Sequence, residues 1–330
     1  MRRSVTTLLQ ILAIVGIWIS GAFAQQGFTY FSIGNPADVE RNTSSGFVLM
    51  GGGRDVDEAF RWFIQKSGGG DVVVIRASGA DGYNEYIYEL GKVDSVETIV
   101  FASREASYND FVVAKIRHAE ALWIAGGDQG NYVRFWKGSP VEDAIHDLAR
   151  RKVPIGGTSA GLAVLGEFSF AAINDTIRSP EALANPFDDN MTIERDFLRF
   201  LVLAGIITDS HFGARDRMGR SVAFLARIRQ EGWSPDPRGI AIDERTALLV
   251  EEDGSSTVSG SGSVYFLRTS EAPKVCAPGK PLEIANVPIL RLRGGDKFNL
   301  RSWTGSAGAN YSLSAREGKL TSTQPGGSVY

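Results

Sequence analysis

Short apolar runs recur along the first two-thirds of the chain, separated by stretches whose apolar positions fall at helical spacing. Phe47–Met50, Val72–Ile75, Thr98–Phe101 and Ala121–Ile124 are apolar at almost every position, the pattern of strands buried on both faces. Asp55–Gln65, Tyr83–Leu90, Ser107–Ala119 and Pro140–Arg151 read as helices, and in the last of these Val141, Ala144, Ile145 and Leu148 share one face. This alternation predicts an α/β fold, a mostly parallel central sheet with helices on both faces. Such sheets place ligands beyond the carboxyl ends of their strands. Three loops leave those ends: Gly51–Asp55, Gly126–Gln129 and the turn around Ser159.

The pattern loosens in the second half. Leu201–Thr208 reads as a further apolar strand, followed by Asp209-Ser210-His211-Phe212 and a helix from about Arg217 to Gln230. Ile240–Glu244 and Ala247–Val250 read as a pair of short strands. After about residue 252 the chain turns to Gly, Ser, Thr and β-formers, as in Ser263–Arg268 and Ile289–Arg293. We expect antiparallel β trim on the same domain there, with the last 25 or so residues loosely held because they carry few large apolar groups.

The N-terminus changes the picture of where the chain goes. Arg2 and Arg3 precede the apolar stretch Leu8–Ile19, and Ala22-Phe23-Ala24 follows. This is the pattern of a secretory signal peptide (residues 1–24) removed after Ala24. Residues 25–330 are then expected to form one domain, with a core at about 46–250 and a β-rich extension at about 252–330. The protein is expected to be secreted or periplasmic, with no stable membrane anchor after cleavage. A formal net charge of −3 over 330 residues, more negative once Arg2 and Arg3 are gone, argues against a nucleic-acid partner. Cys276 is the single cysteine, so stability must come from a large core rather than from disulfides.

The candidate chemistry centres on Gly157-Thr158-Ser159-Ala160-Gly161, which fits G-x-S-x-G, the pattern of a nucleophile elbow. Small flanking residues let a strand turn sharply into a helix, read here as Leu162–Glu167, and lift the serine hydroxyl out of the turn. A serine nucleophile needs a base. Of the three histidines, His118 and His146 fall within helical patterns, whereas His211 follows a strand and so shares the loop-bearing side of the sheet with Ser159. Asp243 and Glu244 end a strand on which they face opposite sides. Either can orient His211, and Glu244 fits if its face points towards the site. The order Ser, His, Glu differs from the Ser, Asp/Glu, His order of α/β-hydrolases. No H-E-x-x-H is present, three scattered histidines make no familiar zinc set, and no cofactor is implied.

Taken together, Gly51-Gly52-Gly53, Gly126-Gly127-Asp128-Gln129, the Ser159 elbow, Asp209-Ser210-His211-Phe212 with Arg215, Arg217 and Arg220, and Gly239–Glu244 resemble the cyanophycinase and aspartyl-dipeptidase family of serine peptidases. That family has the class I glutamine-amidotransferase-like fold. The resemblance spans about residues 46 to 250. It implies Ser159 as nucleophile, His211 as general base and Glu244 as its orienting carboxylate. It also implies an oxyanion site from the N–H groups of Gly127 and Ala160. Gln129, Asp209, Arg215, Arg217 and Arg220 would line a pocket for an aspartyl-containing peptide, since guanidinium binds carboxylate in a planar, two-pronged way. Read by spacing alone, without the resemblance, Arg217 and Arg220 fit a solvated basic helix face better than a pocket.

The implied substrate is cyanophycin or a related β-aspartyl (isoaspartyl) peptide. An aspartyl-dipeptidase-like exopeptidase is the nearest alternative, and relatives suggest a homodimer. Two readings from other classes are a non-catalytic binding protein for acidic peptides and a glutamine amidotransferase. The last would need a cysteine at the elbow, where Ser159 stands. The loop Arg76–Asn84 is distinctive and stands where it can reshape the pocket.

Overall fold

The computed structural model describes residues 23–25 and 27–330. The expected signal peptide lies outside the described residues except for its last two. Those two join a strand, Phe23–Gln25, that pairs antiparallel with Phe28–Gly34. Among the described residues no helix is long and apolar enough to cross a membrane.

Five parallel strands form the centre of the first sheet, in the spatial order Ser95–Phe101, Asp71–Arg76, Ala121–Ile124, Ile155–Thr158, Gly46–Met50. Antiparallel strands flank them, Phe28–Gly34 on one side and Thr246–Glu251 on the other. The four predicted central strands are all present, and the expected α/β architecture holds. Alternate residues divide between two cores, as the pleat requires. Val48, Met50, Val72, Val74 and Trp123 pack under the helices Asp57–Lys66 and Gly82–Leu90. Leu49, Val73, Ile75, Leu122 and Ile124 face the helices Asp110–His118, Gln129–Trp136 and Pro140–Arg150.

The β-rich second half does more than trim the first sheet. Eight strands make a second sheet in the order Lys319–Ser322, Ala309–Arg316, Ile284–Arg293, Ser263–Arg268, Arg238–Ile242, Ile206–Asp209, Phe168–Phe170, Ile193–Arg195. Its inner face (Ile206, Ile240, Ile242, Val264, Phe266) closes the core under the first sheet. Its outer face, including Ile207, Ala241 and Leu267, packs on the helix Met218–Gln230. Ile206–Asp209 and Arg238–Ile242 run parallel, so both deliver their following residues to one end of the sheet.

Several boundaries differ from expectation, each for a local reason. The helix expected at Leu162–Glu167 is a single turn, Ala160–Ala163. Past it Gly166 lies so close to the strand Ile206–Asp209 that a Cβ would stand 2.6 Å from the Ile206 carbonyl oxygen. Leu201–Thr208 is broken at Gly205 (φ +72°) into a 3₁₀ turn, Leu201–Leu203, and the strand Ile206–Asp209. The strand expected at Ile240–Glu244 is Arg238–Ile242, which leaves Asp243 and Glu244 in a turn where strand alternation does not apply. A helix not foreseen, Gln129–Trp136, is capped by Asp128, whose Oδ1 accepts from Gly130 N at 2.8 Å. The tail expected to be loose contains the strands Ala309–Arg316 and Lys319–Ser322 and ends on Tyr330, packed against Phe212 and Tyr265.

Candidate active site

At the end of the central strand Ile155–Thr158 the chain turns back on itself at Ser159, whose φ of 55° and ψ of −114° are unusual for a residue with a side chain. Such a turn needs glycines on either side. A Cβ on Gly157 would stand 2.7 Å from backbone atoms of Gly161, and one on Gly161 would stand 1.9 Å from the Ile124 carbonyl oxygen. Ser159 N donates to Met50 O (3.1 Å), and Thr208 Oγ1 donates to Leu162 O (2.7 Å). The second bond ties the turn after Ser159 to the strand that leads to His211.

His211, Ser159 and Glu244 meet in one line of hydrogen bonds. Ser159 Oγ donates to His211 Nε2 at 2.7 Å, and His211 Nδ1 donates to Glu244 Oε1 at 2.7 Å. The carboxylate accepts only, so it fixes the tautomer that leaves Nε2 free to accept the serine proton. The imidazole is largely buried, while the Glu244 side chain is 37% exposed. Burial pushes the His211 pKa down and the bond to Glu244 pushes it back up; Arg215 and Arg217 add to the lowering, and the net shift is downward. The bond from His211 holds the Glu244 carboxyl below its ordinary value. At neutral pH the imidazole is therefore neutral and able to take a proton.

Of the two acids left open by the sequence, Glu244 is the one that touches His211. Asp243 Oδ1 accepts from Gly213 N (2.9 Å) and its Oδ2 from Ser263 N (3.1 Å), so it braces the loop instead.

The glycine turn Gly51–Gly53 forms the bed of this arrangement. Gly51 O accepts from His211 N at 2.7 Å, and Gly52 O accepts from Arg245 N at 2.9 Å. Gly52, at φ +94°, lies flat against the imidazole: a Cβ there would stand 2.5 Å from Cε1 and 2.6 Å from Nε2. A Cβ on Gly53 would stand 3.0 Å from the Glu244 Cβ. The sequence marked this turn as a loop at a strand end without showing what it touches.

The second glycine turn stands beside the serine, where a Cβ on Gly126 would approach Ser159 Cβ to 3.4 Å. Tyr132, which sequence reasoning missed, pins that turn by donating to the carbonyls of Ala125 (2.8 Å) and Gly126 (3.0 Å). No signal in the sequence pointed to it, because the eight-residue helix that carries it is too short for its periodicity to be read. The loop Arg76–Asn84 reaches the same turn through Ser78, whose Oγ lies 3.3 Å from where a Cβ on Gly127 would be.

The expected pocket residues part company. Asp209 and Arg220 do not line an open pocket, and this corrects both readings of the basic helix. Arg220 Nε and Nη2 grip Asp209 at 2.8 and 2.5 Å, with side-chain exposures of 3% and 6%. The guanidinium also lies over the Phe170 ring. Burial would raise the Asp209 pKa, but Arg220 and then Arg217 outweigh it and hold the carboxyl below its usual range. Arg217 is mostly committed too, to Ser210 O (2.8 Å) and Asp209 Oδ1 (3.3 Å). These groups lock the residues just before His211. Arg215 is exposed and its side chain has no ion-pair partner among the described residues. Gln129, half-buried, donates to Phe170 O at 3.3 Å.

His118 is exposed and pairs with Asp38, and His146 accepts from Arg199 N, so neither contributes to the site. Among the described residues no group of three or more His, Cys, Asp or Glu side chains is arranged to hold a metal ion.

Known proteins resemble this chain in sequence and in fold. Residues 44–258 match the family model described as Peptidase family S51. A cyanophycinase from Synechococcus elongatus is 28% identical over 253 residues, 73% of this chain and 73% of the relative. One from Nostoc sp. is 28% identical over 273 residues, 78% of this chain and 86% of the relative. Among solved structures, that of a peptidase from an acI-B1 Actinobacterium shares the fold, with a TM-score of 0.52 at 16% identity, covering 78% of this chain and 98% of the other.

Proposed function

The chain belongs to peptidase family S51, and from that premise we propose that its cyanophycinase-type activity runs through Ser159, His211 and Glu244 on a β-aspartyl peptide. The observation that carries the reading is the continuous line Ser159 Oγ, His211 Nε2, His211 Nδ1, Glu244 Oε1, with 2.7 Å at each hydrogen bond.

The reaction is acyl transfer. Ser159 Oγ attacks the scissile carbonyl carbon as its proton passes to His211 Nε2. The negative charge that develops on the carbonyl oxygen is held by the N–H groups of Ala160 and Gly127, a few kcal/mol per donor in comparable sites. The helix after Ser159 is one turn long, so the local N–H groups rather than a macrodipole supply this stabilisation. As the C–N bond breaks, His211 returns its proton to the leaving amine. A water molecule then gives a proton to His211, attacks the ester and releases the acid, and Ser159 recovers its proton. Glu244 stabilises the imidazolium at each stage.

Cyanophycin or a related isoaspartyl peptide is the proposed substrate, supported by the names of the relatives and by Arg215, the arginine of the expected set that stays available to a substrate carboxylate. An aspartyl dipeptidase-like exopeptidase is the second reading, supported by the same arginine. Export from the cytoplasm and assembly as a homodimer complete the proposal. A fluorophosphonate probe tests the nucleophile: intact mass and peptide mapping should place one adduct on Ser159, lost in Ser159→Ala and His211→Ala. An adduct elsewhere, or none, would remove Ser159 from the mechanism.

A further inference from the structure

We infer that Tyr330 is a positioning residue for His211, an inference that rests on the triad reading above. The segment that carries His211 is a tight excursion between the strand Ile206–Asp209 and the helix Met218–Gln230. Two of its residues, His211 (φ 46°) and Asp216 (φ 48°), hold left-handed conformations without being glycine. Internal bonds coil it: Arg215 N donates to His211 O (3.0 Å), Asp216 N to Gly213 O (3.2 Å) and Arg217 N to Phe212 O (3.1 Å). Backbone in such conformations persists only where its surroundings over-determine it.

Tyr330 supplies that support at both ends of the segment. Its hydroxyl accepts from Met218 N (3.0 Å) and donates to Asp216 Oδ1 (2.8 Å). Its ring stands edge-on to Phe212, the residue after His211, at 5.8 Å, and edge-on to Tyr265 at 6.1 Å. Burial and the neighbouring Asp216 raise the hydroxyl pKa far above its ordinary value, so the donor persists across any working pH. The tyrosine is itself fixed: Tyr311 donates to Val329 O (2.9 Å), and Gln324 Nε2 to Ser328 O (2.8 Å) and Tyr330 O (3.2 Å). Residues 306–330 lie beyond the stretch 44–258 that matches the family model. The consequence of the brace is functional: the loop that carries His211 and Arg215 is held by Tyr330, more than a hundred positions away along the chain.

The test compares wild type, Tyr330→Ala and Tyr330→Phe by the rate of fluorophosphonate labelling of Ser159 across pH, beside their melting temperatures. Tyr330→Ala should label roughly tenfold or more slowly, because small misplacements of a catalytic group are costly in rate. Its acid limb should also move to higher pH. The charged groups facing the imidazole are Glu244, Arg215 and Arg217. A loosened loop admits water to the ring and relieves the burial that lowers its pKa. Tyr330→Phe, which keeps the ring and removes both hydrogen bonds, should fall between. If Tyr330→Ala does not fold, slower labelling of Tyr330→Phe supports the inference and a wild-type rate overturns it. Wild-type labelling and an unmoved acid limb in the alanine variant overturn it whatever the melting temperature does. An unreactive wild type overturns the triad reading, and the inference with it.

Discussion

Gly52→Ala should nearly silence the enzyme while leaving it folded. The added Cβ would lie 2.5 Å from His211 Cε1 and 2.6 Å from Nε2, whereas carbon atoms in good contact sit about 3.5–4.0 Å apart. The ring must therefore retreat by about 1 Å. It cannot do so freely, because 2.7 Å hydrogen bonds hold it at both nitrogens. A displacement of that size at a reacting group costs on the order of 100-fold in rate. Alanine at φ +94° adds a backbone penalty of about 1–3 kcal/mol, which a domain with this much buried core should withstand. The comparison series sharpens the test. Gly53→Ala meets the Glu244 side chain at 3.0 Å and Gly126→Ala meets Ser159 Cβ at 3.4 Å, so both should cost less than Gly52→Ala. The assay is kcat on a β-aspartyl substrate, with circular dichroism to confirm folding. A folded Gly52→Ala variant with kcat within threefold of wild type would refute the reasoning.

The pH dependence has a definite sign. His211 must be neutral to act and its pKa is held below its ordinary 6.5, so the acid limb of kcat/KM should have its midpoint below 6.5. Arg215→Gln, which removes one of the lowering charges, should move that midpoint upward; Glu244→Gln should move it downward and reduce kcat. Arg220→Leu leaves Asp209 buried without its main partner, and should lower stability by about 3–5 kcal/mol in a urea titration, whereas a solvated or pocket arginine would leave the midpoint almost unchanged. His118→Ala and His146→Ala should keep wild-type turnover, and loss of turnover in either would reopen the assignment of the base.

The sequence exposed those parts of the fold whose physics is local. Phe47–Met50 and Val72–Ile75 are strands because their apolar residues satisfy cores on both faces, and that shows in four letters. Ser159 and His211 were legible because a strand end constrains which residues can meet there. The remainder depended on contacts between distant segments. Asp209 and Arg220 are eleven positions apart, and nothing in their spacing distinguishes a buried ion pair from a carboxylate-binding face. The helix Gln129–Trp136 has Gly130 in its first turn and only eight residues, so its periodicity is too short to read; packing of Tyr132 and Trp136 stabilises it. Residues 306–330 contain few large apolar groups, yet strand pairing and Tyr330 fix them in place. The strand-face argument for choosing between Asp243 and Glu244 did not apply, since Glu244 sits in a turn and touches His211 from there.

The central claim is that the Ser159–His211–Glu244 line hydrolyses a β-aspartyl peptide. It is tested most directly by incubating the protein with purified cyanophycin and following products by mass spectrometry. Accumulation of β-aspartyl-arginine with wild type and none with Ser159→Ala is the expected result. Equal product release by the two proteins would contradict the mechanism, and no release from cyanophycin or from any short isoaspartyl peptide would contradict the substrate class.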